Sequence, residues 1–172
     1  MNLINYNIEG WSEAGGLFYN LARLSASGIP SLAVLHGPST AGGAYMPGLS
    51  DYVVGVKKNG MAALAGAALT QASTGEITTD SDLGGAEMHS EVSGLVEYLA
   101  NDDFEGIKIA RKIISNLNWN RYLPHSIPVN FKEPKYDIEE LAGIVPVDYK
   151  VYYDVREIVV RLVDGSDFLD FK

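Results

Sequence analysis

The residues best placed to do chemistry lie in Ser39-Thr40-Ala41-Gly42-Gly43-Ala44-Tyr45, where an expected strand hands over to an expected helix. At such a junction the first amides have no carbonyl to bond, glycine leaves them unshielded, and the helix dipole adds partial positive charge. A turn of this kind binds an oxyanion. Gly42 and Gly43 could equally serve close helix–strand packing, and the dipeptide alone does not choose between the two. The same turn approaches the Gly-x-Ser-x-Gly elbow of a serine hydrolase. Gly37-Pro38-Ser39-Thr40-Ala41 lacks the second glycine, however, and Ser39 has no base evident in the sequence.

Other chemistry finds less support. His36, His89 and His125 are isolated from one another and from carboxylates at ligand spacing, so no metal site is expected. A second glycine cluster, Leu83-Gly84-Gly85-Ala86-Glu87-Met88-His89 followed by Ser93-Gly94, reads as turns around a helix N-terminus. His89 reads as a buried, hydrogen-bonded structural residue, because no carboxylate is spaced to orient it for catalysis. The absence of cysteine removes disulfides, thiolate zinc sites and a cysteine nucleophile together.

The elements that must position the turn show an α/β rhythm. Leu17, Phe18, Leu21, Leu24 and Ser25 fall near helical spacing, closed by Gly28 and then Pro30. Ser31 to His36 and Asp51 to Val56 are almost continuously apolar, as strands covered on both faces are. The short helix between them matches a right-handed crossover, which predicts that the two strands are adjacent and parallel. Ser39 to Ser50 is expected to be a loop entering that helix, Lys57 to Gly60 a hairpin or tight connection, and Met61 to Leu64 a third short strand. Ala67 to Ser73 follows as a short helix. Asp102-Asp103 caps a helix whose apolar face is Ile107, Ala110, Ile113, Ile114 and Leu117. Leu123 to Asp137, with three prolines, reads as an extended connection. Asp137 with Glu140, and Asp154 with Glu157, have the spacing of capping boxes.

At 172 residues with 47% apolar and 20% charged, the chain supports one globular core. Thirteen basic against 22 acidic residues give a net charge of −9 with no basic run, which leaves a nucleic-acid backbone nothing to bind through. No apolar stretch approaches a membrane span and no signal peptide opens the sequence, so a soluble, unexported, cytoplasmic protein is expected. The first fifty residues hold only Glu9, Glu13 and Arg23 as charges, beside eight glycines, which suggests a surface covered by something else.

Taken in order, Gly28-Ile29-Pro30, Ser39 to Pro47, Leu64-Ala65-Gly66, Thr74-Gly75-Glu76, Leu83 to His89, Ser93-Gly94 and Asp154-Val155-Arg156-Glu157 carry a resemblance. From about Phe18 to Lys172 the chain resembles the carboxyltransferase (β) subunit of biotin-dependent acyl-CoA carboxylases. The stretch Asp154 to Lys172 is nearer the methylcrotonoyl, geranyl and propionyl branches. The resemblance breaks at Gly66-Ala67-Ala68-Leu69-Thr70-Gln71, where Gly-Pro-Pro, or Gly-Pro with a lysine, usually precedes Thr-Gly-Glu.

The resemblance implies an α/β, crotonase-like (ClpP/crotonase) ββα spiral, here incomplete, with residues 1–172 as the latter part of the N-terminal carboxyltransferase domain. It implies a carboxyl transfer from carboxybiotin, held on a partner carrier domain, to an acyl-CoA whose enolate is stabilised by backbone amides. The biotin nitrogen supplies the base, so side chains need only position substrates and oxyanions. By the same resemblance Gly42 and Gly43 carry the catalytic amides and Ala41, Ala44 and Tyr45 contact the acyl-CoA. Partners would be a biotin carboxylase and carrier subunit and further carboxyltransferase subunits in a homo-oligomer. The chain acting alone would be inactive. Two other readings remain: a non-catalytic fragment or assembly partner of such a complex, and another crotonase-fold acyl-CoA enzyme such as a decarboxylase.

Overall fold

The computed structural model describes residues 8–117 and 131–171. They fall into two compact units, one of residues 8–117 with Phe171 and the other of residues 131–170. Part of the extended connection expected over Leu123 to Asp137 lies outside the described residues, as does His125.

The first unit opens with helix α1, Ile8–Ala26, longer at its start than the spacing of Leu17 to Ser25 indicates. It ends as glycine chemistry dictates. Gly28 takes φ +66°, Gly28 N–H donates to Ser25 O at 2.9 Å and Ile29 N–H to Leu24 O at 3.0 Å. That is the Schellman pattern of bonds that satisfies the last helical carbonyls. Strand β1, Leu32–Leu35, then pairs in parallel with β3, Tyr52–Val56, in the register Leu32 with Tyr52 through Leu35 with Gly55. The expected adjacency of the two apolar runs is therefore present. Both strands start at one clamp, where Ser31 N–H and Oγ–H donate to Asp51 Oδ2 at 2.7 and 2.9 Å. On the far side of β3 lies β5, Tyr98–Ala100, giving a parallel sheet of order β1-β3-β5.

A second, two-stranded parallel sheet holds β2, Pro38–Thr40, and β4, Met61–Ala63. Here the structure corrects the sequence once and decides it once. The start of the expected loop Ser39 to Ser50 is strand, and of the two readings of Lys57 to Gly60 the tight connection holds and the hairpin does not, because β3 and β4 belong to different sheets. Lys58 takes φ +63° to turn that corner. Gly60 fits only as glycine, since a Cβ there would stand 2.3 Å from Leu35 O.

Helix α3, Ala67–Thr74, stops at Gly75, φ +77°. Ala67 brings an N–H that Asp80 Oδ1 accepts at 2.7 Å. Short helices α4, Asp80–Gly84, and α5, Ala86–Met88, run into a π-helical turn over His89–Ser93. Helix α6, Asp103–Asn116, is capped by Asp102 Oδ1, which accepts Glu105 N–H at 2.8 Å. Its buried face is narrower than the periodicity indicates: Gly106, Ala110 and Ile113 are buried, while Ile107 and Ile114 are each 53% exposed. The core gathers Leu35, Val53, Ala62 and Val96 around the junction of the two sheets. Among the described residues no helix is long and apolar enough to cross a membrane.

In the second unit, helices α7, Leu141–Ile144, and α8, Arg156–Val159, are single turns. Neither expected capping box closes. Asp137 accepts Glu139 N–H at 3.0 Å and Asp154 accepts Arg156 N–H at 3.0 Å. The two glutamates turn instead to Arg161, which is 8% exposed. Its guanidinium donates to Glu140 Oε2 at 2.7 Å from Nη2 and to Glu157 Oε2 at 2.9 Å from Nη1, and it lies over Tyr136 with its carbon 5.2 Å from the ring centroid. A buried cation that loses its counter-charges is costlier than the same site filled by an apolar chain. Glu140→Gln with Glu157→Gln is therefore expected to lower the melting temperature more than Arg161→Met, and the reverse order in thermal melts would contradict this account.

Candidate active site

The glycine turn sits where β2 ends. Ala41–Ala44 form a 3-10 turn with Thr40 as N-cap, followed directly by α2, Tyr45–Gly48. At the head of the turn Ala41 has φ +51°, a left-handed backbone held by a non-glycine residue. Such strain persists only where the surroundings enforce it, and it collects at functional sites.

The donors of the turn can be sorted by geometry. Met61 N–H donates to Gly37 O at 3.2 Å, which continues the β2–β4 ladder one residue before Pro38. In a turn of i to i+3 bonds capped by Thr40, Gly43 is the first amide with a carbonyl inside the turn. Gly42 is left over, with no acceptor for its N–H among the described residues, and it is exposed. Steric room separates the two glycines as well. A Cβ on Gly43 would stand 2.9 Å from Ser39 Oγ, whereas one on Gly42 would meet only Phe18 Cζ at 3.8 Å. Packing constrains Gly43 only through the rotatable Ser39 hydroxyl. It does not account for Gly42, whose φ is not in the left-handed region either. Ser39 itself lies within β2 with its hydroxyl against Gly43, not at the apex of the turn where a nucleophile elbow would put it.

Around Gly42 the surface is aromatic. Phe18 from α1 meets Tyr45 edge-on, with centroids 5.4 Å apart and planes at 71°. Tyr45 remains 50% exposed. Ala44, half-buried, opens onto a pocket of about 440 Å³ whose walls are Ala62–Ala65, Thr70, Leu83, His89 and Leu95. The sequence-derived set Ala41, Gly42, Gly43, Ala44 and Tyr45 is thus one continuous turn, with Ala44 at the mouth of this mostly apolar pocket. The pocket wall from β4 and the place of His89 in it were missed. His89 Nε2 is 2.7 Å from Ala62 O and Nδ1 is 2.6 Å from Ser93 Oγ. The spacing of four residues between His89 and Ser93 was a signal available in the sequence; Ala62, 27 residues distant, was not.

The second glycine pair has a different cause. A Cβ on Gly84 would fall 2.2 Å from Ala62 O, and one on Gly85 2.6 Å from Ser81 O. Gly84-Gly85 is packing. Among the described residues no three histidine or carboxylate side chains gather as a metal site.

A strained strand-to-helix turn with an open glycine amide near a mostly apolar pocket offers a fixed donor that a negatively charged oxygen could meet. The Carboxyl transferase domain profile matches residues 4–172. The chain is 50% identical over 164 residues to the probable biotin-dependent acyl-coenzyme A carboxylase beta2 subunit of Mycobacterium tuberculosis, covering 95% of this chain and 31% of that one. It is 46% identical to the probable mitochondrial methylcrotonoyl-CoA carboxylase beta chain of Drosophila melanogaster, covering 92% of this chain and 30% of that one. Among solved structures, the geranyl-CoA carboxylase beta subunit of P. aeruginosa matches 98% of this chain and 31% of its own at 52% identity and TM-score 0.61. Transcarboxylase 12S, solved with methylmalonyl-coenzyme A and methylmalonic acid bound, matches at 34% identity and TM-score 0.82, covering 98% of this chain and 32% of that one. The chain belongs to the carboxyl transferase domain family, and its fold is the α/β, crotonase-like one, in part. It spans about a third of the length of the curated relatives it matches.

Proposed function

We propose that this chain forms the acyl-CoA side of a carboxyltransferase site in a biotin-dependent acyl-CoA carboxylase, as the latter part of the N-terminal carboxyltransferase domain. The observation that carries the reading is the unpaired Gly42 amide beside the pocket at Ala44. As the α-proton leaves the acyl group, charge develops on the thioester oxygen, and a fixed donor that meets that charge lowers the barrier most. In this reading Gly42 N–H meets that oxygen, Gly43 lets the turn close on Ser39, and Ala41, Ala44 and Tyr45 line the path of the acyl-CoA. Carboxybiotin on a carrier domain supplies the carboxyl group and, once discharged, the base. The Gly42 turn and pocket fit the acyl-CoA half of that reaction. A biotin carboxylase with its carrier and further carboxyltransferase subunits are the partners the reading requires. The relatives named as methylcrotonoyl- and geranyl-CoA carboxylase subunits support a branched or short acyl chain as substrate, and a cytoplasmic location is part of the same proposal.

Because preorganisation on both sides of the site supplies most of the rate, the isolated 172-residue chain is expected to show no carboxylation of acyl-CoA with free biotin or carboxylated carrier. Adding the biotin carboxylase and carrier together with the remaining carboxyltransferase segments is expected to restore it. Isotopic bicarbonate incorporation into acyl-CoA reads this directly. Robust turnover by the chain alone, or none by the completed assembly, would refute it.

A further inference from the structure

We propose that His89 is a positioning residue for this site, holding the β4 wall of the pocket and, through the β2–β4 ladder, the Gly42 turn. The proposal rests on the carboxyltransferase reading above. Strand β4 has three residues and one ladder partner, β2. Since Met61 and Ala63 face β2 in that ladder, Ala62 turns its carbonyl to the opposite edge. Ala62 is 4% exposed and Gly84 packs onto the same oxygen, so no solvent reaches it freely. Its partner is His89 Nε2 at 2.7 Å. A carbonyl only accepts, so Nε2 carries a proton, and Nδ1 is 2.6 Å from Ser93 Oγ, whose hydroxyl also donates to His89 O at 3.3 Å. Ser93 Oγ in turn accepts Leu95 N–H at 3.3 Å.

The result is a bracket. Ala62 and Leu95 stand on separate walls of the 440 Å³ pocket, and the imidazole with Ser93 ties one to the other. The π-helical turn His89–Ser93 is the local distortion that lets the ring and Ser93 share this arrangement, and such bulges recur at functional sites. Beside the Met61–Gly85 bridge at its start, the bracket is the tie on the free edge of β4 at Ala62, and β4 pairs with β2 up to Thr40, next to the Gly42 turn. A shift of about 1 Å in a catalytic donor can cost up to roughly 10²-fold in rate while leaving ground-state binding intact.

The test uses the assembled carboxylase with His89→Leu, His89→Gln, Ser93→Ala and Gly42→Pro. Two CoA probes report binding apart from turnover: propyl-CoA, a ground-state thioether, and a nitroalkyl-CoA whose nitronate oxygen stands in for the enolate. His89→Leu is expected to lower kcat and nitronate affinity by about tenfold to 10²-fold, with KM and propyl-CoA affinity changed less than about threefold on the same ground-state argument. His89→Gln, whose side-chain amide can still donate to Ala62 O, is expected to recover most of both. Ser93→Ala should show the same pattern at smaller size, and it carries the test if the leucine variant does not fold. Wild-type kcat and nitronate affinity in His89→Leu, equal losses in the leucine and glutamine variants, or parallel loss of propyl-CoA binding would each overturn the positioning role. Gly42→Pro separates the two levels: if it keeps nitronate affinity, the oxyanion reading itself fails, whatever the histidine variants do.

Discussion

Removing the Gly42 donor in an assembled carboxylase is expected to lower turnover by roughly 10²–10³, about 2.7–4 kcal/mol, with acyl-CoA binding changed far less. Gly42→Pro deletes the N–H outright. It also restricts Ala41, already at φ +51°, because the residue before proline loses freedom. Replacement of Gly42 by glycolate through semisynthesis removes the same hydrogen without adding bulk, so the two variants together separate the donor from the turn. Gly42→Ala supplies the control. Its methyl would meet only Phe18 Cζ at 3.8 Å, and no left-handed φ demands glycine there, so its melting is expected to stay within about 0.5 kcal/mol of wild type. If the glycolate variant turns over normally, Gly42 does not hold the oxyanion. If Gly42→Ala unfolds the chain, the glycine is structural after all.

The sequence disclosed those parts of the fold that local residue types decide. Ser31 to His36 and Asp51 to Val56 read as buried parallel strands because a strand covered on both faces has no reason to alternate, and β1 and β3 lie there. Gly28 stops its helix where the sequence places the stop, with a positive φ after the last helical turn. In three of the misses a residue distant in sequence wins. Pro38-Ser39-Thr40 is too short and too polar to announce a strand, and becomes one only beside β4. Glu140 has capping-box spacing but is drawn to Arg161, 21 residues on. Ile107 and Ile114 fit a helical face, yet α6 packs through Gly106, whose missing side chain lets Val56 and Val34 approach.

At the candidate site the division is the same. The strand-to-helix position of Gly42-Gly43 was legible and located the turn. Which of the two amides is open was not, because that depends on the β2–β4 register and on the 3-10 form of the turn. Gly42-Gly43 and Gly84-Gly85 are the same dipeptide in the sequence. Only the neighbours distinguish them, through open space at Gly42 and a carbonyl oxygen 2.2 Å from where a Gly84 Cβ would be.

That contrast makes Gly84→Ala a far more destructive methyl than Gly42→Ala. The added carbon would stand 2.2 Å from Ala62 O, 2.8 Å from Ala62 C and 2.9 Å from Ala63 Cβ. Two of these are backbone atoms of β4, which cannot rotate away as a side chain can. Either α4 or β4 must move. Overpacking of this kind costs about 1–3 kcal/mol in general, and contact with fixed backbone places Gly84 at the upper end, a loss of roughly 6–12 °C in melting temperature. The displaced atom is also the acceptor of His89 Nε2, so the same methyl that lowers stability disturbs the bracket of the pocket. Turnover per folded molecule should fall with it, whereas in Gly42→Ala stability stays put. Gly48→Ala, with nothing within 4 Å of the new carbon, is the matched control and should melt as wild type. A Gly84→Ala protein melting within a degree or two of wild type would mean that β4 yields easily, and the rigid wall from which the Gly42 register and the His89 contact are argued would then be lost.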